Sequence, residues 1–167
     1  MAKVNGKQKG NSFERKIANA LSARFAEYSG ISQSFRRNPD SGSFFGGTNI
    51  SRAETHDTDW AIYGDLICPR AFNFSIECKH YKAAPKLNGI LTQKLAEWDK
   101  WIAQAKQDAE ASKKDVLIVI RYNNTETLVM TEPGASPLQP IINYNNMEIQ
   151  TLENILELPD SFFFGKK

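Results

Sequence analysis

Apolar residues recur at helical spacing in two long stretches of the chain and at strand spacing in several short ones. Phe13, Ile17, Ala20, Leu21 and Tyr28 share one helix face, and Phe25 widens it. Ser12 is the expected N-cap, Glu14 suits the positive end of the helix dipole, and Gly30 is the expected stop. A second stripe, Leu91, Leu95, Trp98, Trp101, Ile102, Ala105 and Ala109, predicts a long helix over Gly89 to Ser112.

Between these helices the period changes. Ile31 to Arg37 alternates imperfectly as a strand and delivers Arg36 and Arg37 to a loop, NPDSGSFFGGTN. Phe44 and Phe45 in that loop either stack on bases or anchor the loop to the core. His56, Asp57 and Asp59 match neither a zinc nor a calcium spacing and read as a polar rim. Tyr63 to His80, YGDLICPRAFNFSIECKH, holds two apolar runs split by a turn at Cys68, Pro69 and Arg70, and predicts a β-hairpin or two adjacent strands. Val116 to Arg121 is continuously apolar, as a central strand covered on both faces requires. Asn123 and Asn124 then turn the chain into a strand over Thr125 to Thr131.

From Glu132 onward Pro133, Gly134, Pro137 and Pro140 interrupt the pattern. A short helical repeat returns at Leu152, Ile155 and Leu156, and the chain closes on SFFFGKK. The domain reading is a mobile basic arm over 1–11, one α/β domain over 12–131, and an extension over 132–167. The three phenylalanines are too apolar for water and predict packing on the domain or on a second copy.

Charge adds a polarity. Residues 1–52 hold nine Lys or Arg against three acids, whereas residues 53–167 hold twelve against sixteen. The front third therefore suits a phosphate backbone. Cys68 and Cys78 form neither a disulfide framework nor a C-x-x-C zinc pattern. With no signal peptide and no run of 18 apolar residues, the expected setting is cytoplasmic, with no membrane partner.

The candidate chemistry lies in Tyr63 to His80. Side chains alternate along a strand, so Glu77 and Lys79 share one face while Ile76 and Cys78 take the other. If Asp65 lies across from them, two carboxylates and an ammonium form an acidic cup suited to a divalent cation.

These residues resemble the PD-(D/E)xK phosphodiesterase superfamily, the restriction-endonuclease-like nucleases, and within it the archaeal-type and phage Holliday junction resolvases. The likeness covers roughly residues 10–131. It is carried by Glu14 in the opening helix, Arg36 and Arg37 before Ser41 and Gly42, Asp65 after Gly64, the tripeptide Glu77-Cys78-Lys79, and Gln104 in the following helix. Gly64 replaces the usual proline, and the loop from Ser43 to Tyr63 is longer than a minimal resolvase needs.

The resemblance implies a restriction-endonuclease-like core, a mixed central β-sheet flanked by helices. It implies Mg²⁺ or Mn²⁺ bound by Asp65, Glu77 and the Cys78 carbonyl, with Glu14 reaching the metal directly or through water. It gives Lys79 the attacking water and Gln104 a supporting contact, and it implies cleavage of branched DNA by a homodimer, in the host cytoplasm if phage-encoded. Lys7, Lys9, Arg15, Arg36, Arg37 and Arg52, with Ser41, are the expected nucleic-acid contacts. The rival readings are a sequence-selective or end-processing DNA nuclease, an RNA endonuclease, and an inactive nucleic-acid-binding protein on the same fold.

Overall fold

A computed structural model describes residues 6–28, 35–38 and 63–165. The elements in order are α1 (Gly6–Arg24), β1 (Arg36–Arg37), β2 (Leu66–Ile67), β3 (Phe74–Tyr81), α2 (Leu87–Leu91), α3 (Ala96–Ser112), β4 (Asp115–Tyr122), β5 (Thr127–Thr131), β6 (Ile142–Tyr144), β7 (Met147–Thr151), α4 (Leu152–Leu156) and α5 (Asp160–Phe163). The main sheet has the order β3-β4-β5-β7-β6, and β1 and β2 form a separate two-stranded ladder. Strands β3 and β4 are parallel, joined across α2 and α3, and every later pair is antiparallel. The result is a mixed α/β fold compatible with a restriction-endonuclease-like core.

Strand β4 shows why the two faces differ. Leu117 and Val119 point into a core with Phe13, Ile17 and Leu21 of α1. Val116, Ile118 and Ile120 point into a second core with Trp98, Trp101 and Ile102 of α3. A strand buried on both sides loses its polar alternation, which is the pattern of VLIVIR. Strand β3 carries the same alternation to the sheet's end: Ile76 and Cys78 join the α1 core, so Glu77 and Lys79 turn toward α3.

Several expectations need correction. Helix α1 begins at Gly6 rather than Ser12, so residues 6–11 continue the helix and do not form an arm. Two glycines and no apolar face hide this start, since glycine is a poor helix former. The tie from Lys9 Nζ to Asn123 Oδ1, 2.7 Å, joins this turn to the β4–β5 connection. The helix ends at Arg24, before a turn in which Tyr28 donates to the Phe25 carbonyl. Gly30, Phe44, Phe45, His56, Asp57 and Asp59 lie outside the described residues.

The stretch from Tyr63 to His80 is no two-stranded ladder. Leu66 and Ile67 pair with Arg37 and Arg36, and Asp65 N–H reaches the Ile76 carbonyl at 2.8 Å. The helix expected over 89–112 is two helices. The break falls at Thr92 to Leu95, where Gln93 takes a left-handed φ of 54° and Gly89 packs against Leu95.

Residues 132–167 are part of the fold rather than an appendage. Met147–Thr151 pairs with β5, and Ile142–Tyr144 adds the edge, turned by Asn145 and Asn146 with φ of 41° and 57°. Phe163 and Phe164 are buried in the α1 core, where their rings meet Phe25 and Phe72. Of the two expected alternatives, packing on the domain holds for Phe163 and Phe164, which are core residues of this chain. Among the described residues no helix is long and apolar enough to cross a membrane.

Candidate active site

The site forms where β3, the end strand of the sheet, meets the turn before β2. Glu77 is 2% exposed on the α3 side of β3. Its Oε1 accepts from Lys79 Nζ, two residues along on the same face. Lys79 also donates to Gln104 Oε1 at 3.3 Å, so α3 holds the ammonium from the other side. Among the described residues, the remaining Glu77 oxygen, Oε2, is buried without a hydrogen-bond partner.

Asp65 is set in place through its backbone. Its N–H donates to Ile76 O and its carbonyl accepts from Asn38 N–H, each at 2.8 Å. The Asn38 side chain donates to Gly64 O at 3.0 Å. Gly64 has a φ of 78°, and a Cβ there would stand 2.6 Å from Ile76 O. Proline, locked near −65°, cannot adopt this turn, which accounts for glycine at this position. The Asp65 carboxylate then accepts from Cys78 N–H at Oδ2, 2.8 Å, which binds it to the centre of Glu77-Cys78-Lys79.

Two further acids approach. Glu14 of α1 is buried and salt-bridged to Arg37 of β1 at 2.5 Å. Asp108 of α3, half-buried, accepts from the Gly64 backbone N–H and feels both Asp65 and Lys79. Sequence reasoning missed Asp108. Its signal was available in its spacing of four from Gln104, which puts both on one helix face. Asn38 was missed as well, hidden in what reads as loop chemistry.

The electrostatics follow from burial and crowding. Burial and the Asp65 charge push Glu77 up to about 8, against the pull of Lys79. The same two causes raise Glu14, with Arg37 opposing, and raise Asp108, with Lys79 and the Gly64 amide opposing. For Lys79, burial lowers its pKa, but Glu77 and Asp65 outweigh it and the ammonium is held above its ordinary value. Asp65 thus burdens three other carboxylates. Burial pushes both thiols up, Cys68 to about 12 and Cys78 well above its usual value, so neither is a ready nucleophile.

This donor set fits a hard divalent cation. An orphaned carboxylate oxygen beside a second carboxylate is what such an ion would complete, since an unpaired buried acceptor is otherwise costly. Among the described residues no three His, Cys, Asp or Glu side chains form a metal-holding group. Two carboxylates, Asp65 and Glu77, are the side chains here that could hold such an ion, and water would have to complete its shell.

The other expected contacts divide. Arg15 and Arg36 are exposed, whereas Arg37 is committed to Glu14. Lys9 is tied to Asn123. The Lys7 side chain, Ser41 and Arg52 lie outside the described residues. A family model described as "Phage putative PDDEXK endonuclease" matches residues 5–157. No curated protein and no solved structure matches the chain.

Proposed function

The chain belongs to this phage PDDEXK endonuclease family, within the PD-(D/E)xK superfamily, and on that premise we propose that it is a Mg²⁺-dependent DNA endonuclease. The observation that carries the reading is the unpartnered Oε2 of Glu77, buried beside Asp65 with Lys79 fixed between Glu77 and Gln104. Manganese would serve in the same donors.

Asp65, Glu77 and the Cys78 carbonyl would hold a divalent cation, which would lower the pKa of water and neutralise charge growing on the phosphate. Glu77 must give up its proton to join that set, and its raised pKa makes this step pH-dependent. Lys79, held above its ordinary pKa, keeps its proton; it orients the attacking water and donates to the developing charge rather than abstracting a proton. Gln104 holds the Lys79 ammonium in that position. Asp108 and Asn38 both bond to the Gly64 backbone and so hold the Gly64–Asp65 turn.

The finer reading is a structure-selective enzyme that cuts four-way or otherwise branched DNA as a homodimer. It rests on the likeness of Glu14, Arg36, Arg37, Asp65, Glu77, Lys79 and Gln104 to the resolvase pattern. Two symmetric cuts require two sites, which a two-fold pair supplies. The family's phage origin suits action in host cytoplasm.

The test is cleavage of a labelled four-way junction beside linear duplex, single-stranded DNA and RNA, with Mg²⁺ or EDTA, by wild type and Glu77→Ala. Paired, metal-dependent nicks confined to the junction support the full reading. Metal-dependent cutting of linear duplex keeps the endonuclease and discards junction selectivity. Binding without cutting of any nucleic acid overturns the enzyme reading.

A further inference from the structure

On the α1 face of the sheet, at the C-terminal ends of β3 and β4, lies a cavity of about 320 Å³ lined by Gln8, Lys9, Ser12, Phe13, Lys16, His80 and Arg121. It is distinct from the carboxylate site. His80 follows Lys79 directly but leaves the strand on the opposite face, with its ring against Phe13 at 5.1 Å. Arg121 is the register partner of His80 on the parallel neighbour, so the two side chains stand beside each other.

The lining gathers cations without a counter-charge. Lys9, Lys16 and Arg121 are basic, Gln8, Ser12 and His80 are neutral polar groups, and among the described residues no acid lines the cavity. Among the described residues, Lys9 and Arg121 find only neutral partners, Asn123 and Thr127. Among the described residues, the Nδ1 of His80 is buried without a hydrogen-bond partner, although the ring also meets Asn123 and the Lys9 backbone. Like charges held together in a concave, half-dry site cost free energy that an anion would recover.

We propose that this cavity binds a backbone phosphate of the nucleic acid, through Lys16 and Arg121 with Lys9, while a neighbouring stretch of the same chain passes the Asp65–Glu77 cleft. The proposal deepens the endonuclease reading and rests on it for the identity of the polymer. The argument for a phosphodiester is proximity. Lys79 and His80 are adjacent residues whose Cα atoms are about 3.8 Å apart, and backbone phosphates recur every few ångströms. A strand brought to Lys79 therefore has other phosphates within reach of the far face of β3. The contact is with the backbone, so it positions the polymer and reads no sequence.

The test measures binding of a labelled four-way DNA junction in EDTA across a salt series, for wild type, Lys16→Gln, Arg121→Gln and a control, Lys94→Gln, on the turn before α3. Circular dichroism and thermal melting check folding. Arg121 is half-buried, so Lys16, which is exposed, is the safer probe. Each cavity variant should lower the slope of log affinity against log salt by about 1, with Lys94→Gln unchanged. Cleavage at saturating DNA with Mg²⁺ should keep its kcat while KM rises.

Unchanged slopes in both variants, with a wild type that binds and cuts, overturn the cavity and leave the endonuclease standing. Slopes that fall in the variants of a wild type that cuts nothing uphold the cavity and sink the endonuclease reading. A wild type that binds no nucleic acid overturns both. A control arm titrates inorganic phosphate: Lys16-dependent binding of free phosphate, with DNA slopes unchanged, would identify a small-anion site and overturn the proposal.

Discussion

Gly64 lies so close to Ile76 that a Cβ on it would stand 2.6 Å from the Ile76 carbonyl oxygen. The next residue, Asp65, donates its N–H to that same oxygen. One peptide of β3 therefore both excludes a side chain from the turn and places the carboxylate that follows it.

Gly64→Ala should move the turn, because the obstructing atom is backbone and the φ of 78° is strained for any L side chain. We expect a loss of about 1–3 kcal/mol in urea unfolding, the usual cost of such strain, and at least tenfold slower cleavage. Gly64→Pro, which restores the superfamily's usual residue, should fare worse, since its ring forbids positive φ. Full activity in Gly64→Pro would show that the turn is not what places Asp65.

The raised pKa of Glu77 predicts how stability varies with pH. Between its unfolded value near 4.5 and its folded value of about 8, the native state holds a proton that the unfolded chain has lost. Stability of the metal-free protein should therefore be full below this window and fall as pH rises through it, by on the order of 1 kcal/mol per pH unit. On the proposed function a divalent cation would take the proton's place, so Mg²⁺ should raise the melting temperature more at pH 8 than at pH 5. Urea melts from pH 4.5 to 8.5, with EDTA or Mg²⁺, measure both. Equal stabilisation by Mg²⁺ at the two ends would argue against Glu77 as a ligand.

Asp108 acts on the site through the Gly64 amide it accepts from. Asp108→Asn retains an acceptor oxygen, while Asp108→Ala removes it at a cost of about 1.5–3 kcal/mol for a charge-assisted bond. We expect the alanine variant to lose tenfold or more in kcat and the asparagine variant to stay within about threefold. If asparagine fails as badly as alanine, the charge and not the hydrogen bond is what the site uses.

Phe163 is 1% exposed and its ring meets those of Phe25, Phe72 and Phe74. Phe163→Ala should cost about 3–5 kcal/mol, as large-to-small core changes do. Truncation after Thr131 should leave no cooperative unfolding transition, because β7 and the core residues Ile155, Leu158, Phe163 and Phe164 go with it. A stable, melting 1–131 fragment would restore the view of the C-terminal region as an appendage.

What was legible in the sequence was whatever local geometry dictates. The α3 stripe, the apolar run of β4 and the Asn123–Asn124 turn follow from the periods of helix and strand and from the turn chemistry of asparagine. The shared face of Glu77 and Lys79 follows from a spacing of two. A second asparagine pair, Asn145–Asn146, was just as readable and marks the β6–β7 hairpin.

The tertiary structure alone decided the rest, because partners far apart in the chain leave no local trace. Asp65 is 12 residues from Glu77, and only folding shows that its ladder runs to Arg36–Arg37 while its carboxylate joins Cys78. Arg37 reads as a free phosphate contact until Glu14, 23 residues earlier, claims it. Phe163 and Phe164 read as surplus apolar surface until Phe25, just beyond α1, and Phe72 close over them. Local sequence determined which side chains share a face; long-range packing determined which faces meet, and so which charges are paired, which are buried, and which carboxylate oxygen is left for a cation.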